Sequence, residues 1–206
     1  MTQVLLFATD NQNKVKELRE AFAKAGLDIE VKSKADLENP PYVNERGNTF
    51  EENAKLKAHA LADFSKLPTL ADDSGLVVDK LNGAPGVHSA RYGGEAHNDS
   101  RNNAKLLAAL GGVPEEKRQA KFVSVLVLSQ PGKPERDLVV EGTCEGVVLA
   151  VPRGNDGFGY DPLFYVPAKG KTFAEMSTDE KNEVSHRGTA VRKLVKELPD
   201  WFAELD

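Results

Sequence analysis

The residues best equipped for chemistry in this chain are acids grouped without cysteine or histidine partners. Asp72-Asp73-Ser74-Gly75 follows a short apolar run, and Glu45 and Glu52 stand upstream of it. Adjacent carboxylates repel unless a cation or solvent separates them. Taken alone, Asp-Asp-Ser-Gly is as readily a polar turn as a site. Glu52 has a competing occupation, because Thr49-Phe50-Glu51-Glu52 matches a helix capping box. Glu45, in Asn44-Glu45-Arg46-Gly47, competes only with the reading of a solvated loop charge. An oxygen-only donor set of this kind suits Mg2+ rather than zinc.

A second group could bind an anion. Val4-Leu5-Leu6-Phe7-Ala8-Thr9 reads as a strand buried on both faces, and it leads into Asp10-Asn11-Gln12-Asn13-Lys14. Val15, Leu18, Phe22 and Ala25 then recur at intervals of three and four, and Gly26 closes the helix. A polar loop opening a helix presents unpaired N–H groups, a common arrangement for phosphate. The third group is the loop Gly154-Asn155-Asp156-Gly157-Phe158-Gly159-Tyr160-Asp161-Pro162, with two aromatics among glycines. Such a backbone can approach a ligand closely and its rings can stack on a base. A turn-rich connector with its rings in the core explains the same composition. Lys181, His186 and Arg187 fall at the end of one helix and the start of the next, where solvated charge is the ordinary alternative.

Several nucleotide signatures are excluded. Gly170-Lys171-Thr172 imitates the end of a P-loop, but the required earlier glycine is Tyr165. Gly157-Phe158-Gly159 lacks the third glycine of a dinucleotide fingerprint and opens no helix. Asp10 has Gln12 where a phosphatase would place its second aspartate, and no Gly-x-Ser-x-Gly elbow occurs. His59, His88, His97 and His186 are too scattered for a zinc site.

The elements that must position these groups alternate. A second strand falls near Ile29 to Lys32, and residues 38 to 48 form a loop with Pro40-Pro41. A helix from Thr49 to about Ser65 carries one apolar face: Phe50, Ala54, Ala58, Leu61 and Ala62. Thr69-Leu70-Ala71 is a short strand that Asp72 to Gly75 interrupts before Leu76-Val77-Val78 resumes. Residues 82 to 98 read as loop, and a helix over Ser100 to Leu110 stops at Gly111-Gly112. A central strand, Phe122 to Leu128, turns at Pro131-Gly132-Lys133-Pro134 into Leu138-Val139-Val140. That run turns again at Glu145-Gly146 into Val147-Val148-Leu149. After Leu163-Phe164-Tyr165 come two helices, one capped by Ser177 and one with the stripe Ala190, Val191, Leu194, Val195 and Leu198, which Pro199 ends. The class is α/β: a mixed β-sheet flanked by helices, with two lobes around a central cleft.

Composition bounds the function. At roughly 150 residues per domain, 206 residues make one domain of two lobes that the sequence does not separate. The single cysteine, Cys144, cannot form an intrachain disulfide and suits a reducing cytoplasm. Met1-Thr2-Gln3 carries no positive side chain, and no stretch approaches the roughly 18 apolar residues of a membrane helix. The expectation is a cytoplasmic protein with no membrane partner. A net charge of −5 argues against a nucleic-acid polymer, which needs a basic face to displace counterions. Between Ala168 and Lys196, however, seven lysines and arginines stand against four acids, enough for a small polyanion.

Six segments in order resemble one family over some 180 residues: the ITPase-like, house-cleaning purine nucleoside triphosphate pyrophosphatases, including the dITP/XTP pyrophosphatases. They are Thr9 to Lys14, Thr49 to Ala54, Leu70 to Leu76, Gly83 to Tyr92, Phe158 to Pro162 and Lys181 to Arg187. The resemblance implies an elongated mixed sheet, a nucleotide-binding cleft and a homodimer. It also implies Mg2+-dependent hydrolysis of ITP, dITP and XTP to the monophosphate and pyrophosphate. By that likeness Asp73 is the general base and a metal ligand, and Glu45 is the second ligand. Thr9, Asp10, Asn11, Gln12, Asn13 and Lys14 hold the phosphates, with Ser74 close by. Phe158, Gly159, Tyr160, Asp161, Lys181, His186 and Arg187 frame the purine. Asp10 departs from the neutral residue common at its position: it either turns away to cap the helix or helps hold a cation.

Two other functions fit the same residues. A nonspecific nucleotide phosphatase would release orthophosphate instead of pyrophosphate. A nucleotide-sensing module would bind without turnover, but a pure anion sensor gains nothing from Asp73 and Glu45 unless a metal is present.

Overall fold

The computed structural model describes residues 2–204. Strand β1 (Gln3–Phe7), helix α1 (Gln12–Lys24), strand β2 (Ile29–Ser33), helix α2 (Phe50–Ser65) and strand β3 (Thr69–Val78) come first. Helix α3 (Asp99–Ala109), strands β4 (Gln119–Gln130), β5 (Lys133–Val148), β6 (Phe164–Val166) and β7 (Lys171–Thr172), and helices α4 (Thr178–Val184) and α5 (His186–Ala203) follow. The described strands form one mixed sheet in the order β2-β1-β3-β4-β5-β6-β7. β1 pairs parallel with β2 and β3, whereas β5, β6 and β7 pair antiparallel. The α/β class and the helix-flanked mixed sheet are therefore as the sequence implies.

The chain divides into two compact units. The first comprises Met1–Asp73, Val125–Glu141 and Ala190–Asp206. Its core joins Val15, Leu18 and Phe22 of α1 to Leu5 and Phe7 of β1, Val31 of β2, and Leu194, Leu198, Trp201 and Phe202 of α5. Burying each such side chain contributes about 1.5–3 kcal/mol. The second comprises Ser74–Ser124 and Gly142–Thr189. Its core is aromatic at the centre: the Phe122 and Phe164 rings meet edge to face at 4.7 Å, and Phe173 stacks on Phe122.

Local differences from the sequence reading have physical causes. β3 runs unbroken through Asp72-Asp73-Ser74-Gly75. The pleat sends successive side chains to opposite faces, so the two carboxylates do not have to part by breaking the strand. β5 likewise continues through Glu145-Gly146. Gly146 is needed there because a Cβ would collide with the Tyr165 carbonyl and the Phe164 ring. α5 passes through Pro199 to Ala203, since Trp201 and Phe202 are buried and the Trp201 indole donates to the Arg136 carbonyl at 2.8 Å. Packing of the last turn outweighs the lost backbone donor. Elements that the sequence reading lacks include the strand β7 and a 3-10 segment, Gly86–Arg91, within the 82–98 loop.

Candidate active site

In the first unit, a lysine draws the acids together. Lys57, on α2, places its ammonium 2.6 Å from Glu45 Oε1 and 3.8 Å from Asp73 Oδ1, and donates to the Asp72 carbonyl. Burial opposes the charge on Lys57, but Asp72, Asp73 and Glu45 outweigh it and raise the ammonium above its usual value. Asp73 is pushed up to about 6, mainly because burial disfavours its ionised form. Lys57 and the Asn53 amide oppose that rise, and the charges of Glu45 and Asp72 add to it. Asp73 Oδ2 is shielded from solvent and has no hydrogen-bond partner among the described residues.

Helix α2 also fixes the loop that carries Glu45. Thr49 is the N-cap, accepting from the Glu52 N–H at 3.1 Å. The Glu52 carboxylate reaches back to the Asn48 N–H at 2.6 Å, one residue beyond the N-cap N–H that a true capping box engages. Its role is therefore a loop tie. Asn53, buried on the same helix, accepts from the Gly47 N–H at 2.8 Å. A Cβ at Gly47 would collide with Glu52 and Asn53, so the loop can pass only as glycine.

The β1–α1 connection, in the same unit, is a helix start with its own caps. Asn11 is the N-cap: its Oδ1 accepts from Asn13 N and Lys14 N at 3.0 and 3.3 Å. Asp10 therefore does not cap the helix; it is exposed and pairs with Lys34 at 3.2 Å. Thr9 Oγ1 accepts from the Asn11 N–H, and Gln12 reaches the Ser33 hydroxyl at 3.4 Å. Lys14 lies 2.7 Å from Asp72 Oδ2, with Asp72 almost wholly buried. By strand alternation Ser74 shares the side of β3 that Asp72 occupies.

The remaining expected residues lie in the second unit: Phe158 to Asp161 form a pinned loop, and Lys181, His186 and Arg187 stand on α4 and α5. Lys181 donates to Asp161 Oδ2 at 2.6 Å, and that oxygen also accepts from the Phe158 N–H at 3.1 Å. The Lys181 ammonium sits 4.8 Å from the centroid of the Phe158 ring, which is 59% exposed. Tyr160 is buried, donates to the Ser89 carbonyl at 2.7 Å, and has its phenol pKa raised mainly by burial. Asp99 and Asn103 hold Gly159 through its N–H and carbonyl. His186 is buried and stacked on Phe122, ring centroids 4.7 Å apart and 13° from coplanar. Arg187 keeps its Nε shielded and without a hydrogen-bond partner among the described residues.

The donor chemistry of the first unit fits Mg2+. Glu45 and Asp73 offer hard carboxylate oxygens, one of them the shielded Asp73 Oδ2, which has no hydrogen-bond partner among the described residues. Among the described residues no group of three or more His, Cys, Asp or Glu could hold a metal ion. Mg2+ does not need one, because it is usually held by one or two carboxylates, water and substrate phosphates.

Sequence reading missed Lys57, Asn53, Asp99 and Asn103. For the first two a signal existed: Asn53 and Lys57 fall among Ala54, Ala58 and Leu61 on the apolar side of α2. A polar group on that face must have a partner. Nothing in the sequence marks Asp99 and Asn103 apart from ordinary helix-start residues.

Comparisons with known proteins agree over nearly the full length. A dITP/XTP pyrophosphatase of Lactobacillus acidophilus is 67% identical over 199 residues, 97% of this chain and 98% of that protein. One of Geobacillus kaustophilus is 54% identical over 190 residues, 92% and 91% of the two chains. The solved structure of a HAM1 protein from Coxiella burnetii matches with a TM-score of 0.90 at 39% identity, covering 96% of this chain and 99% of that one. The Ham1 protein of Staphylococcus aureus gives 0.88 at 40% identity, with the same coverage. Among the described residues no helix is long and apolar enough to cross a membrane. The Ham1 family model spans residues 5–197, and this chain belongs to the Ham1 family.

Proposed function

We propose that this chain hydrolyses non-standard purine nucleoside triphosphates — ITP, dITP and XTP — to the monophosphate and pyrophosphate, in the cytoplasm and as a homodimer. The names of its close relatives support the activity. The observation that carries it is Asp73, a shielded carboxylate raised to about 6, with one oxygen free of hydrogen-bond partners among the described residues. A base poised near neutral pH is what proton removal from attacking water requires. Water attacks the α-phosphorus, its proton passes to Asp73, and the α–β anhydride bond breaks to release pyrophosphate. Glu45 and Asp73 would hold Mg2+, which when bound neutralises charge on the polyphosphate.

The other residues bind and select. Thr9, Asp10, Asn11, Gln12, Asn13 and Lys14 are assigned to the phosphates, with Ser74 beside them. Phe158 to Asp161, Lys181, His186 and Arg187 are assigned to the base. Lys181 and Arg187 have only donors, and the Arg187 Nε lacks an acceptor among the described residues. Hypoxanthine and xanthine offer an oxygen at the 6-position, whereas adenine offers an amino donor. Leaving a shielded donor unpaired disfavours adenine by factors that reach about 10⁴ in sites built for hydrogen bonding.

Incubating the full chain with ITP, dITP, XTP, ATP and GTP, with and without Mg2+, tests this. Pyrophosphate release favouring the 6-oxo, non-standard substrates supports it. Orthophosphate release, or a preference for ATP, overturns it.

A further inference from the structure

Both backbone polar groups of Gly159 are held by one helix. Its N–H donates to Asp99 Oδ2 at 2.8 Å, and its carbonyl accepts from Asn103 Nδ2 at 2.9 Å. Asp99 and Asn103 are four residues apart on α3 and so share a face. Gly159 has φ +59°, and a Cβ there would meet nothing within 4 Å. The glycine therefore answers to backbone conformation rather than to crowding. One residue earlier, the Phe158 N–H donates to Asp161 Oδ2, and its carbonyl accepts from the Asp161 N–H at 3.2 Å. Every backbone hydrogen-bonding group of these two residues is engaged, yet the ring they carry stays 59% exposed.

A loop that only had to close would not need this. The Asn103 Oδ1 is shielded and lacks a hydrogen-bond partner among the described residues, so the amide is desolvated in order to hold Gly159. An exposed aromatic on an immobilised backbone is a preformed stacking surface. We propose that Asp99 and Asn103 are positioning residues that fix the Phe158 ring as a platform for the purine. This rests on the base-binding role given above to Phe158–Asp161. Ordering the platform before binding removes that cost from the affinity, so losing the clamp acts on KM and leaves kcat.

The test compares Asp99→Ala, Asp99→Asn, Asn103→Ala and Phe158→Ala in the full chain, with ITP and Mg2+. The two clamp alanine variants are expected to raise KM about tenfold with kcat within about twofold. Asp99→Asn keeps an acceptor for the Gly159 N–H and is expected to stay within about threefold of the original KM. Hydrogen exchange gives a readout independent of turnover: faster exchange confined to residues 157–160 supports the clamp, even in a variant that unfolds at lower temperature. Unchanged KM and exchange in the clamp variants, with a raised KM in Phe158→Ala, overturn the proposal while leaving the base-binding reading intact. If Phe158→Ala also leaves KM unchanged, the base-binding reading fails and the proposal with it.

Discussion

Asp72 and Asp73 are adjacent in sequence but serve two different lysines from opposite faces of β3: Asp72 Oδ2 lies 2.7 Å from Lys14, and Asp73 Oδ1 lies 3.8 Å from Lys57. The strand pleat separates the pair, so two shielded acids can occupy consecutive positions with different side-chain partners, although the Asp72 charge still adds to the rise at Asp73. Asp72 lies close to its cation, whereas Asp73 is held loosely and its other oxygen has no hydrogen-bond partner among the described residues. The difference suits one acid to organising and the other to reacting.

Asp73→Asn is expected to abolish turnover while stabilising the protein in chelator above neutral pH. Folding raises the Asp73 pKa from 3.8 to about 6, so the ionised side chain opposes folding. The penalty is complete above pH 6, falls as Asp73 protonates in the folded state, and vanishes below 3.8. A rise of that size corresponds to about 3 kcal/mol. Urea unfolding at pH 8 should favour the variant by up to that amount, and the gain should disappear near pH 4. Equal stability at pH 8 would refute the cost of the buried charge; undiminished pyrophosphate release would refute Asp73 as base.

Lys57→Met should move the acid limb of the pH–rate profile upward. Lys57 is the main influence lowering the Asp73 pKa, against burial. Without the ammonium Asp73 binds its proton more tightly, and turnover requires the ionised form. Activity is expected to fall most near pH 6 and to recover in part at pH 8.5. A profile that drops equally at every pH would mean that Lys57 acts on the substrate rather than on Asp73.

The resemblance and the glycine pattern made the loop at Phe158 legible, because both the positive φ of Gly157 and its close approach to Asp161 demand glycine. Asn11 was legible only as one of four polar residues before a helix; hydrogen-bond geometry, not residue type, selects it over Asp10. The broken-strand reading at Asp72 failed because it treated neighbours in sequence as neighbours in space. Lys57 stayed hidden for the converse reason: its partners, Glu45 and Asp73, come from segments that only the fold brings together. Pro199 misled because intrinsic helix preference was weighed without the packing of Trp201.

Gly157→Ala is expected to damage substrate binding more than Gly159→Ala. At Gly157, φ is +78° and a Cβ would overlap the Asp161 carboxylate, which holds both Lys181 and the Phe158 N–H. At Gly159 only the left-handed conformation opposes a side chain, at about 1–2 kcal/mol. Thermal unfolding and ITP KM should both rank Gly157→Ala as the worse variant. The reverse order would show that Asp161 is free to move.

Lys14→Met is expected to destabilise the fold as well as weaken substrate binding. The Lys14–Asp72 pair is largely shielded, with side-chain exposures of 20% and 7%. Removing one partner of a buried ion pair costs about 3–5 kcal/mol, towards the lower end here because Lys14 keeps some solvent. Replacing both, with Asp72→Asn added, should cost less than the two single changes together, since in each single variant the remaining charge loses this partner. Unfolding by urea measures that coupling. ITP kinetics then separate the roles: the double variant should regain stability and still show a raised KM, because the phosphates have lost the ammonium. Recovery of KM along with stability would remove Lys14 from the phosphate site and leave it only a partner for Asp72.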